Sequence, residues 1–221
     1  MSVLKQAQAM VAQSRATVAH PFFSRFREKK TAQQLNRFAV DWWKAASGHK
    51  DAFVFLPGLI KDAETRSEVI HILDEEWGHG DVTKAHITLL ENFLRELGIG
   101  DPDSKVTIPE IGKFGNTTMA MWRNGDPVAA FGYHWALEEV AAGIHPVFFN
   151  GLKEYGFSSE ALLYFQIHAT AEQQHALVAN NGLWRYTTAQ ENEVKLLSGI
   201  QKGTDALAEM WDGFYRHVFG D

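Results

Sequence analysis

Tyr164-Phe165-Gln166-Ile167-His168-Ala169-Thr170-Ala171-Glu172-Gln173-Gln174-His175-Ala176 contains neither proline nor glycine and is rich in Ala, Gln and Glu, the composition of a helix. At about 100° per residue, His168, Glu172 and His175 fall at roughly 0°, 40° and −20° on a helical wheel. Two imidazoles and a carboxylate therefore share one narrow stripe. Ala161, Phe165 and Ala179 lie on the same stripe and no Lys or Arg does, so it is expected to face inward. Burying three ionisable groups is costly unless something pairs them. A metal ion is the simplest partner, because neutral imidazole and carboxylate suit Fe, Mn and Zn. A surface or hydrogen-bonded histidine pair is the plainer alternative.

Outward from this stretch no strand-like alternation persists, and the chain reads as all-α. Residues 2–18 suggest a first helix, and Pro21 can open a helical turn after His20. Thr31 is placed to cap a second long helix that carries Leu35, Phe38, Trp42 and Trp43 as core residues. Gly48 and Pro57 are positions where it can bend or divide. The next helix covers 63–77 and stops at Gly78-His79-Gly80; helix is expected again from near Asp81 to Gly98. Helices follow over about 108–123 and 128–155, with a kink expected at Pro146. Ser158-Ser159-Glu160 caps the helix of the opening stretch, which Asn180-Asn181-Gly182 is expected to break. Thr187 or Thr188 then caps a last amphipathic helix ending near Phe219. Residues 1–221 read as one domain, a bundle of seven to eight helices.

The chain is long enough to bury a sizeable core, with 221 residues and 45% hydrophobic content. Its net charge of −6 comes from interspersed charges of both signs, which argues against nucleic acid and membrane surfaces as partners. No apolar run approaches the ~20 residues a bilayer span needs. Met1 to Ala19 has no continuous apolar signal core, so a cytoplasmic protein is expected. Cysteine is absent, which excludes disulfides, thiolate ligands and cysteine nucleophiles. Histidine is plentiful, and His71, His79, His86, His134, His145, His168 and His175 all fall in the middle of the chain.

One helical stripe cannot enclose a metal centre alone; in helical bundles, facing helices supply the remaining carboxylates and histidines. The first candidate partner is Asp74-Glu75-Glu76-Trp77-Gly78-His79-Gly80-Asp81 with His86 downstream. Glu76 and His86 lie about 80° apart on an unbroken helix, and the Gly78/Gly80 break could realign them. Without a metal, Asp74-Glu75-Glu76 is a solvated acidic run. The second partner is Glu138 or Glu139, set among Phe131, Ala136, Leu137, Val140 and Ala141; only one of the two can point inward. His145 follows on the Glu138 face and reads as a helix-face histidine beside a proline kink. Tyr133, His134 and Trp42 neighbour the candidate ligands.

Ala19-His20-Pro21-Phe22-Phe23, followed by Leu35, Phe38 and the tryptophan pair, resembles the opening of the heme-oxygenase-like helical fold. Thiaminases, pyrroloquinoline-quinone synthases and diiron oxidases share that fold. Three further stretches resemble the heme-oxygenase-like diiron oxidases: Asp74-Glu75-Glu76 through His86 to Gly98, Ala136-Leu137-Glu138 with Gly151-Leu152 downstream, and His168-x3-Glu172-x2-His175. The resemblance covers about residues 19 to 180. It implies two irons held by Glu76, His86, Glu138, His168, Glu172 and His175, with O2 as co-substrate. That family usually has Asp where this chain has Glu172, one methylene longer.

The resemblance further implies an oxidase or oxygenase acting on a small amine- or carboxylate-bearing substrate, such as an amino acid or a fatty acid. The outcomes known in the family are N-oxygenation, desaturation and C–C cleavage. It also implies a homodimer. Competing readings remain. A ferritin-like centre would pair Glu76-x2-His79 with Glu172-x2-His175 and use Glu138 and Asp41 as lone acids. A metal-free, quinone-synthase-like oxidase would use the histidines as acid–base groups. A heme protein would need an axial histidine, for which His20 is the early candidate. A non-enzymatic iron-binding protein on the same fold is the last alternative.

Overall fold

The computed structural model describes residues 2–220. In chain order the helices are α1 (Val3–Gln13), α2 (Pro21–Phe26), α3 (Ala32–Phe53), α4 (Leu56–Leu59), α5 (Ala63–Glu76), α6 (His86–Glu96), α7 (Pro109–Asn124), α8 (Pro127–Leu152), α9 (Ser159–Tyr186) and α10 (Glu191–Phe214). A 3₁₀ turn spans Lys153–Tyr155, and a π-helical turn at Tyr215–Phe219 extends α10. No strand occurs among the described residues. Setting aside the short α2 and α4, eight helices remain, in line with the hydrophobic spacing. None of the described helices is long and apolar enough to cross a membrane.

Local sequence accounts for most of the helix starts. Thr31 accepts from the Gln34 N–H while the Gln34 side chain accepts from the Thr31 N–H, a reciprocal capping box at α3. Ser158 caps α9 by accepting from the Ala161 N–H. Pro21 is the first residue of α2, and His20 caps it by accepting the Phe22 N–H on Nδ1. A six-residue helix has negligible stability of its own. Its Phe22, Phe23 and Phe26 are fully buried, at about 1.5–3 kcal/mol each. Phe22 stacks on Trp211 of α10 at 5.6 Å, and Trp42 of α3 stacks on the same indole at 5.9 Å. The tryptophan pair of α3 is core, as its spacing predicts.

The centre of the bundle is α8, packed along α9 on one side and α10 on the other. Backbones approach closely at the α8–α10 crossing. A Cβ at Gly132 would collide with the Leu196 carbonyl, and one at Gly199 with the Ala129 carbonyl. Glycine at both positions lets the two helices interlock and fixes the face that α8 turns toward α9.

Several expected boundaries move. The first helix stops at Gln13, where Ser14 turns extended and caps the Val11 carbonyl. Helix does not resume at Asp81. Gly78, His79 and Gly80 all have positive φ, and the Asp81 carboxylate accepts from the Thr83 N–H and hydroxyl, so α6 begins only at His86. Asn180-Asn181-Gly182 does not break α9. Asn180 accepts from the Trp135 indole, and Gly182 is small because Phe131 of α8 and Thr65 of α5 press on it. Thr187 and Thr188 do not cap α10; their hydroxyls bond back to the Trp184 and Arg185 carbonyls and close α9. Gly48 leaves α3 unbroken, whereas Pro57 sits at the start of the separate α4.

Pro146 lies inside α8 without ending it. A proline there removes the donor that the Ala142 carbonyl would receive. The Gln173 side chain of α9 supplies a replacement, donating Nε2–H to that carbonyl at 2.9 Å. The repair tethers α9, one residue past Glu172, to α8, three residues before His145.

Candidate metal centre

Four helices deliver the central carboxylates and histidines. The last turn of α5 brings Glu75 and Glu76, α8 brings Glu138, and α9 brings His168, Glu172 and His175; His86 is the first residue of α6. Glu138 points inward and is buried, so it is the inner of the adjacent acids and Glu139 the outer. All six predicted residues converge. His86 Nδ1 is 3.0 Å from Glu76 Oε1, and His168 Nε2 is 3.7 Å from the same oxygen. His168 Nε2 is 3.9 Å from Glu172 Oε1, while His175 Nδ1 is 3.6 Å from Glu172 Oε2 and 3.7 Å from Glu138 Oε2.

Two trios of donor atoms gather within 4.8 Å: Glu76, His86 and His168, and then Glu76, Glu172 and His175. Glu76 belongs to both. Glu138 stands beside the second through its contact with His175.

Tautomers favour a metal. A carbonyl only accepts, so His168 donates Nδ1–H to the Tyr164 carbonyl at 2.8 Å and directs Nε2 inward. His175 gives its Nε2–H to Glu75 at 2.9 Å and turns Nδ1 toward Glu138 and Glu172. This carboxylate–histidine relay is the outer support that metal-ligating imidazoles use. His86 Nδ1 is buried and makes no hydrogen bond although Glu76 is 3.0 Å away. A nitrogen and an oxygen that close without donor alignment fit two lone pairs directed at a shared point.

The electrostatics agree. Burial pushes the Glu76 carboxyl up, but the imidazoles of His168 and His86 outweigh it and hold the carboxyl well below the usual range. Burial also opposes charge on His175, yet Glu172, Glu138 and Glu75 raise the ring to about 10. His168 is likewise raised, Glu76 overcoming the cost of burial. Burial and the neighbouring Glu172 charge push Glu138 up to about 8. Without metal, protons are thus the counter-charges of this buried carboxylate cluster. The donor set fits divalent metal: hard carboxylates, borderline imidazoles and no thiolate.

The site opens onto a cavity walled by apolar side chains, among them Phe53, Ile72, Leu137, Ile144, Leu207 and Met210. Trp42, named from sequence as a neighbour, does line it. Tyr133 does not: its hydroxyl bonds Thr118 in the α7–α8 core. His134 is fully buried behind Glu138, with Nδ1 3.4 Å from Glu138 Oε1. Three contributors escaped the sequence reading. Glu75, half-buried, supports His175 by accepting its Nε2–H. His145 reaches the centre, its Nε2 3.6 Å from Glu172 Oε1. His49 lines the cavity from α3; the spacing Trp42, Ala45, His49, Phe53 was the available signal.

The competing ligand sets come apart. His79 is exposed at positive φ and bonds Asp74 at 2.8 Å. Asp41 is committed to His217 at 2.6 Å and Thr107 at 3.0 Å. The two extra groups of a ferritin-like centre are therefore occupied elsewhere. His20 caps α2 and contacts Asp212 through Nε2 at 3.2 Å, which leaves it no axial role toward heme. His79→Ala is accordingly expected to leave metal binding within about twofold of wild type, while His86→Ala weakens it by ~100-fold or more, beyond typical outer-shell effects. Anaerobic metal titration of both variants checks this; a loss confined to His79→Ala would overturn the assignment.

Known proteins resemble the chain in sequence and in fold. Two curated relatives, both named 4-aminobenzoate synthase, are 26% identical: one from Chlamydia pneumoniae covers 88% of this chain and 87% of its own, and one from Nitrosomonas europaea covers 98% and 92%. Among solved structures, a CADD-like protein of unknown function from Nostoc punctiforme superposes with a TM-score of 0.79 at 15% identity, covering 98% of this chain and 97% of its own. A Shewanella denitrificans domain described as having a heme-oxygenase-like fold gives 0.71 at 17% identity over 99% and 93%. The fold is thus heme-oxygenase-like, as the opening motifs suggest. Residues 48–208 match the model of the iron-containing redox enzymes, and the chain belongs to that family.

Proposed function

We propose that this protein is a non-heme diiron oxidase or oxygenase that uses O2 to oxidise a small substrate bearing an amine, a carboxylate or both. The supporting observation is the pair of donor trios sharing Glu76. Glu76, His86, Glu138, His168, Glu172 and His175 would hold the two irons, which supply the redox chemistry with O2 as oxidant. The protein's own part is positional. Glu75 and the Tyr164 carbonyl fix the two α9 imidazoles, and Glu138 and His175 give up protons as metal enters. The apolar wall keeps water from the reacting substrate. Lys50 lines the cavity, and its ammonium, 4.4 Å from the Trp77 ring, would be the cation available to a substrate carboxylate. The two relatives are named for making 4-aminobenzoate, a product that carries both groups.

The test is anaerobic Fe(II) titration followed by O2 uptake against a panel of small amino- and carboxy-bearing compounds. About two irons per chain are expected. Glu138 at about 8 and His175 at about 10 both carry protons at neutral pH in the metal-free protein. Metal must displace both, so apparent affinity rises with pH, by up to ~100-fold per unit below pH 8 when two protons leave. Proton release measured in two buffers reads this directly. A stoichiometry near zero across pH 6–8 would reject the diiron reading and favour a metal-free oxidase.

A further inference from the structure

We infer that His145 is a ligand of the same centre, a fourth imidazole entering from α8 on the Glu172 side. The inference rests on the diiron reading and adds a residue that neither the motif spacing nor the two donor trios include. Its Nε2 lies 3.6 Å from Glu172 Oε1, the separation that His175 Nδ1 keeps from Glu172 Oε2. It is closer than His168 Nε2, at 3.9 Å from the same oxygen. The His145 and His168 rings lie nearly parallel, 23° apart with centroids at 4.7 Å, and both offer Nε2 to Glu172 Oε1. One carboxylate therefore has imidazole nitrogens on both flanks, two of them converging on one oxygen.

His145 packs its ring against Trp42 and Phe148, but its nitrogens lack a structural occupation. It is 4% exposed, its Nδ1 is buried without a hydrogen-bond partner, and its Nε2 makes no hydrogen bond within the protein. A buried imidazole with neither nitrogen bonded loses hydration without return. Coordination through Nε2 supplies that return. The position has a local cause. Pro146 follows directly, and the Gln173 tether holds this part of α8 against α9. The length of Glu172 fits as well: an aspartate would end one methylene nearer the α9 axis, further from α8.

The experiment uses Co(II) as the metal probe on the full chain. Each Co(II)-bound histidine contributes one strongly shifted, exchangeable ring N–H proton resonance. Wild type should show four, from His86, His145, His168 and His175, and His145→Phe three, with the site on the Glu172 side loosened by tenfold or more. His145→Gly is a second variant in which added imidazole should restore the affinity, guarding against a misfolded His145→Phe. Three resonances in wild type, unchanged in His145→Phe, would overturn the inference while leaving the diiron reading intact. Absence of bound Co(II) in wild type would instead reject the diiron reading itself.

Discussion

Glu76→Ala should empty the centre completely, a larger loss than any other single substitution produces. Glu76 alone belongs to both donor trios, so its removal would take a carboxylate from each set of ligands. Its Oε1 is 3.0 Å from His86 Nδ1 and 3.7 Å from His168 Nε2, so two imidazoles from different helices converge on it. Without it those rings have no common anion, and two divalent charges would be left with less compensation in a buried site. Both irons should be lost, and O2 uptake should fall by at least ~100-fold, the upper range for outer-support changes. Glu76→Gln keeps the volume but not the charge, and should fail the same way. That pairing separates loss of a ligand from loss of packing. The metal-free variants should retain the wild-type helical spectrum, since α5 is capped at its far end by Asp62 and Glu76 is its last residue. Metal analysis of purified, Fe(II)-loaded variants decides it: if Glu76→Ala retains two irons, the shared-carboxylate geometry is wrong.

The parts of this site that were legible in sequence are those carried by one regular helix. His168, Glu172 and His175 share a stripe because α9 runs uninterrupted through them, and 3.6-residue periodicity places them without further information. Glu138 was legible from its apolar neighbours, although periodicity alone could not choose between it and Glu139. His86 was not legible from a helical wheel. Three successive positive-φ residues separate it from Glu76, and the path of such a turn follows from backbone torsions that residue spacing does not encode. Only the family resemblance placed it. His145 was missed because Pro146 reads as a helix breaker, whereas a side chain from another helix repairs the missing bond. Asn180-Asn181-Gly182 failed the same way. Turn-forming residues there answer to tertiary contacts with Trp135, Phe131 and Thr65, and packing overrode propensity. Glu75 looked solvated because the acidic run shows no side from sequence; the end of α5 turns it toward His175 while Asp74 turns to His79.

Glu172→Ala is expected to cost the second metal while leaving the first partly bound. Glu172 joins only the trio with Glu76 and His175, and Glu76, His86 and His168 remain for the other ion. Its two oxygens face opposite ways, Oε1 toward His145 and His168 and Oε2 toward His175. Removing it strands three imidazoles around a gap. In the metal-free protein, Glu172 helps keep the His175 ring charged. Deleting it therefore also lowers that proton's affinity, which eases metal entry slightly, by at most about tenfold per pKa unit. A lost carboxylate ligand outweighs this, so the net effect should be a drop from about two irons to about one, with affinity at the vacated site weakened by ~100-fold or more. Glu172→Asp is the informative companion. It keeps the charge and withdraws the carboxylate by one methylene, about 1.5 Å, away from α8. Both irons should stay, because His175 and His168 lie on the same helix as the shortened side chain. The contact with His145 should lengthen, and proton release on metal binding should remain near the wild-type value. Titration of the three proteins with Fe(II), in two buffers at one pH, reads the stoichiometry, the affinity and the proton release. Two tightly bound irons in Glu172→Ala would show that the carboxylate between the α9 histidines is not a ligand, and that the stripe from which the site was first read serves packing alone.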